Sequence, residues 1–278
     1  TSDGGSLKFV GGSSDGSVGG DVTLMSGASA SSTSGSIVLE TSDAMEGTDG
    51  GTGSIGITTG SDVGDGTSGH VSVATGDAST AGGISLAVGL SAKADTGGEL
   101  ALSAGGATVG TGGRVSIVSG QSVGGASGDI AVSSEDGVGS FQSGSLSLKS
   151  GDATGGASGA VSIVSGSSSE RTAGTVSVRG GASESGDGGR VNVVAGDTSE
   201  GAGGVLSLRS GVSTDAQGGA IELLAGAGGL SGGNITLHGG EGGPSYGGSL
   251  KFVGGSSGGS VGGDVTLMSG APASSTSG

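Results

Sequence analysis

Val, Ile, Leu and Phe are not scattered along this chain. They fall in pairs, one residue apart, within a unit of the form G-x-φ-x-φ-x-x-G, where φ is one of those four residues. The unit begins at Gly5, Gly20, Gly35, Gly53, Gly69, Gly82, Gly98, Gly113 and Gly128, then at Gly144, Gly159, Gly174, Gly189, Gly204, Gly219, Gly233, Gly248 and Gly263. These eighteen copies, two of which end on Ser42 and Glu135 in place of the final glycine, lie mostly 15 residues apart, and the spacing is most ragged between Gly35 and Gly98, where it runs 18, 16, 13 and 16. The period of two, and the dominance of β-branched residues, predict a short half-buried strand. A helix would have to carry glycine at every fourth position or so, at about 1 kcal/mol each relative to Ala. The stretches between, such as "GASESGDGG" and "GDTSEGAGG", have the composition of turns, with glycine to supply positive φ and tight corners.

One such strand cannot bury its apolar face alone. Stacking successive copies at about 4.8 Å would make a ladder of Val, Leu and Ile with a thin continuous core, so the expected fold is an all-β solenoid. Its coil size follows from the residue five places after each opening glycine. From the tenth unit this position reads Lys149, Val164, Arg179, Val194, Arg209, Leu224, His238, Val253, alternating basic and apolar. That pattern predicts about 30 residues per coil, two units on two facing parallel sheets, with the φ pair pointing inward. Val164, Val194, Leu224 and Val253 would then line an outer face and are candidates for a lateral interface with a neighbouring chain. A coil of one 15-residue unit is the rival, and three units per coil fits less well.

The chain also begins again. Residues 5–35 and 248–278 differ at two of 31 positions, where Asp15 and Ser29 are replaced by Gly258 and Pro272. The expected organisation is therefore one continuous array over 1–278. A 243-residue module would span 5–247, and residues 248–278 would start the next module. Sixteen units separate the two copies, an even number as two-unit coils require, with an axial advance of roughly 38 Å, against about 77 Å for one-unit coils. The chain opens on a repeat without Met and ends on "STSG" without a capping segment, as an excerpt of a longer array would.

Composition sharpens this picture. Glycine supplies 73 of 278 residues, aromatics about 1 %, and Cys and Trp are absent. A Gly/Ser linker would share that composition but has no need of periodic apolar pairs. Without cysteine no disulfide framework is available, and no apolar run is long enough for a transmembrane helix. A net charge of −16 argues against nucleic acid and anionic membrane surfaces as partners.

Catalytic chemistry finds little support. His70 and His238 stand far apart, no cysteine nucleophile exists, and no lysine completes a phosphate-binding loop. G-x-G-x-x-G matches are expected by chance among so many glycines. No catalytic or cofactor-binding residue is therefore assigned, and the chain is not expected to be an enzyme. Asp62 and Asp65, in "SDVGDG", are weak candidates for loosely bound Ca²⁺, because the Gly/Asp nonapeptide of calcium β-rolls is not reproduced. Asn234, in Asn234-Ile-Thr236, is a glycosylation candidate if the chain is secreted.

The texture of "GGRVSIVSG" and "GGRVNVVAG" resembles Gly/Ser-rich tandem-repeat surface proteins of stramenopile algae, which look like long secreted β-solenoids. The resemblance implies an extracellular or cell-surface structural role and supplies no functional residues. The expected function is a structural repeat protein that forms or decorates an extracellular filament by stacking modules end to end. Its partners would be itself, end to end and side by side, and attached glycans. The alternative is a binding module, an adhesin stalk or an ice-binding solenoid.

Overall fold

A computed structural model describes residues 4–45, 50–93 and 96–270. The chain divides into two units, Thr1–Val132 and Ser133–Gly278. Neither contains a helix or a strand among its described residues. The expected all-β solenoid, with coils of about 30 residues and two facing parallel sheets, is not formed, and neither is the 15-residue coil. The spans of the backbone hydrogen bonds give the physical reason. A two-unit coil must pair residues about 30 positions apart, but the bonds present among the described residues span seven or eight. Eleven loops are tied at their own necks, and no backbone bond among the described residues ties one coil to the next.

The same element recurs in both units. Gly20 N–H donates to the Gly12 carbonyl at 2.8 Å, and Gly35 does the same to Gly27 at 2.9 Å. The pattern continues at Gly113 and Gly128, and again at Gly174, Gly189, Gly204, Gly219, Gly233, Gly248 and Gly263. In each case the opening glycine of one unit bonds the glycine that closed the unit before it. The chain is therefore a series of open segments joined by loops that are pinched at the neck. The Gly233 neck reaches back seven residues to Gly226 where the others reach eight, because that loop is one residue shorter.

Nothing covers the apolar pairs. Among the described residues the φ side chains of the open segments are at least 46 % exposed, Ile37 being the least. In most pairs the first is about half covered and the second less so, as in Val161 at 55 % and Ile163 at 73 %. The expected inward and outward sheet faces do not exist, and the φ pairs are not the core. The nine half-buried residues among those described are Gly11, Ser26, Thr41, Ser119, Ser150, Ser165, Ala195, Ser210 and Gly254. All nine occupy the seventh place of their units, and all but Thr41 precede a closing glycine.

That place is covered because two backbones cross there. A Cβ at Gly11 would collide with the Gly20 carbonyl oxygen, one at Gly180 with that of Gly189, and one at Gly254 with that of Gly263. Where the seventh residue is Ser or Ala, its own Cβ faces the next opening glycine. For Ser165 and Ala195, a Cβ built on Gly174 or Gly204 would stand 3.2 or 3.3 Å away. The neck therefore holds one small side chain and one glycine. Glycine serves close approach here more than left-handed backbone. Among the described residues only Gly110, at φ 93°, and Gly139, at φ 72°, adopt positive φ, so the expectation that turn glycines supply it holds at two loops.

Candidate functional site

The candidate site is a surface repeated along the chain: the open segments between necks, and the loop tips that flank them. The loops are built locally. In eight of them the second residue after the closing glycine is a Ser or Thr whose hydroxyl accepts the N–H three residues on. These are Ser14, Ser29, Ser122, Ser168, Ser183, Thr198, Ser213 and Ser257, at 2.9–3.1 Å. Such side-chain acceptors replace a backbone carbonyl in stabilising a turn. Ser29 is one of these acceptors, and its counterpart Pro272 has no hydroxyl; Pro272 lies outside the described residues. The substitution thus reaches into loop chemistry that the sequence pattern alone does not reveal.

Asp62 plays the same part. Its Oδ2 accepts the Gly66 N–H at 2.7 Å, so one carboxylate oxygen is engaged within its own loop. Asp65 lies three residues on and is exposed. No group of three or more His, Cys, Asp or Glu side chains that could hold a metal ion occurs among the described residues. At the Gly128–Gly144 unit the neck is closed differently. The Ser134 hydroxyl donates to the Gly144 carbonyl at 3.0 Å, and the longer loop turns at Gly139.

The remaining sequence-derived residues are placed in the open segments. Val164, Val194, Leu224 and Val253 are 82, 83, 85 and 70 % exposed, more so than the φ pairs beside them. All four lie within the second unit. Asn234 is exposed on an open segment. Lys149, one of the basic residues alternating with the four apolar ones, pairs with Asp152 at 2.9 Å. No cavity opens among the described residues, and no helix of theirs is long and apolar enough to cross a membrane.

Sequence reasoning missed the neck. Its signal was present as the small seventh residue of most units, which becomes Thr41, Thr59, Thr75 and Val88 in the four ragged units. In those units larger side chains approach the opening glycine. A Cβ at Gly53 would meet Thr41 Cγ2 at 3.2 Å, and one at Gly98 would meet Val88 Cγ1 at 2.6 Å. In these four units larger seventh residues and irregular loop lengths occur together.

No protein-family model, curated protein sequence or solved structure matches the chain.

Proposed function

We propose that the chain is a structural repeat protein of the cell exterior, which forms or decorates a filament by associating with copies of itself. The observation that carries this reading is its surface. The chain exposes 27230 Å² at a mass of 24.9 kDa. A compact monomer of that mass would expose roughly 10,000 Å² and a fully unfolded chain about 36,000 Å². Alone, the chain buries only about a quarter of what it could expose, yet it spaces apolar pairs regularly through eighteen units. Regular apolar spacing without internal burial supports a role in which burial comes from other molecules. The alga-like texture of the repeats supports a place outside the cell, where Asn234 would be open to glycosylation. The reading assigns no catalytic step.

Immunogold electron microscopy of the source material, with antibody raised to residues 4–270, tests the reading. Label along extracellular filaments is the expected result. Diffuse label inside the cell would overturn it, and label confined to a stalk bearing a distinct tip would favour an adhesin instead.

A further inference from the structure

We infer that a second copy of this chain covers the open segments of the second unit. The two copies align unit against unit, in register or shifted by an even number of units, so that Val164, Val194, Leu224 and Val253 meet one another across the contact. The inference deepens the self-association proposed above by assigning it a register. Two observations lead to a second copy as the occupant. The surface in excess of a compact monomer is roughly 17,000 Å², about twenty times what a standard protein–protein interface buries on one partner. A small ligand or a single docked domain cannot cover that. The apolar positions also recur every 15 residues with a common neck between them. Only a partner of matching period can engage successive units in the same way, and a second copy has that period by construction.

Alternation sets the step. Shifting one copy by a single unit would press Val164 against Lys149 or Arg179, and Val194 against Arg179 or Arg209. A charged group would then lose water without gaining a partner. An even shift places apolar residues together and sets basic residues opposite basic ones, a repulsion reduced where a loop carboxylate pairs with the base, as Asp152 does with Lys149. Long basic side chains can also reach solvent past a neighbour while Val cannot. The N–H and C=O groups of the open segments, which make no backbone bonds among the described residues, would find partners in the opposing copy.

Two measurements on the whole chain test this. In sedimentation velocity across a wide concentration range, the parent chain is expected to associate reversibly. A variant carrying Val164→Lys, Val194→Lys, Leu224→Lys and Val253→Lys should associate at least tenfold more weakly, although its added lysines reduce the net negative charge. A control with the same charge change in the loops, at Val18, Val109, Val123 and Val261, should associate at least as well as the parent. Because the chain lacks cysteine, single thiols report register. Val164→Cys should cross-link with itself or with Val194→Cys several-fold more than with Arg179→Cys when singly substituted chains are mixed. A parent that stays monomeric, equal association of the two lysine variants, or cross-linking to Arg179→Cys as strong as to either valine partner would each overturn the inference. So would a parent that stays monomeric until lipid vesicles are added, since the valines would then belong to a membrane surface. Failure of pairing in solution would leave the extracellular location to be decided by microscopy alone.

Discussion

At the scale of single residues the deciding position is the seventh of each unit. Gly180 and Gly254 stand where a Cβ would meet a carbonyl oxygen of the next unit, so Gly180→Val should open its neck. The Gly189 N–H would then lose its bond to Gly181, a loss of roughly 1 kcal/mol that makes its exchange with solvent about fivefold faster. Amide hydrogen exchange of Gly189 by NMR checks this. Ser165→Ala, which keeps the Cβ and removes only the hydroxyl, should leave Gly174 unchanged. The loop tips give a second residue-scale expectation. Asp62→Ala removes the acceptor of the Gly66 N–H, whereas Asp62→Asn retains an oxygen in the same place. Only the Ala variant should deprotect the Gly66 amide. Lys149→Ala removes an exposed ion pair of the kind that rarely stabilises measurably, and it should leave every amide protection factor in its loop unchanged.

At the scale of the element, the unit is a loop with a closed neck and an open segment, and each part follows a different rule. The loop is legible in sequence once its chemistry is known, with a closing glycine, a hydroxyl or carboxylate two residues later, and an opening glycine eight residues on. The period-two pattern of the segment predicts a strand, and a strand needs a partner edge. The neck supplies none, because it ties the loop to itself at one bond and leaves the segment unpaired. Replacing Thr41, Thr59, Thr75 and Val88 with Ser or Ala addresses the size of the neck residue directly. If that size limits closure, the opening glycines Gly53, Gly69, Gly82 and Gly98 should gain exchange protection. Unchanged protection would show that the irregular loop lengths alone decide.

At the scale of the whole molecule, sparse burial predicts how the chain should unfold. With only about a quarter of its unfolded surface removed from water, the dilute monomer has little surface left to release. Its thermal and denaturant curves should be shallow and without a cooperative step, since the denaturant slope follows the surface exposed on unfolding. Circular dichroism during such a titration measures this, and a sharp two-state transition in the dilute chain would contradict it. Charge acts at the same scale. A net charge of −16 opposes association between copies, and added salt shortens the range of that repulsion to about 8 Å at physiological strength. Association measured by sedimentation should therefore strengthen as salt is raised.

The sequence by itself determined the repeat: its eighteen units, the 15-residue spacing, the two-unit alternation at Lys149 to Val253, and the recurrence of residues 5–35 at 248–278. These are facts of order along the chain and need no folding to be read. It also singled out the apolar pairs, but their pattern is the same whether they are buried within one chain or left for another. Tertiary structure decided between those outcomes. The short-range bonds between glycines, such as Gly189 to Gly181, close eleven of the loops on themselves, and a small residue such as Ala195 occupies the crossing. With few large side chains and a glycine-rich backbone that loses the most entropy on ordering, the nearest contact is the one that forms. The apolar pairs stay in water as a result.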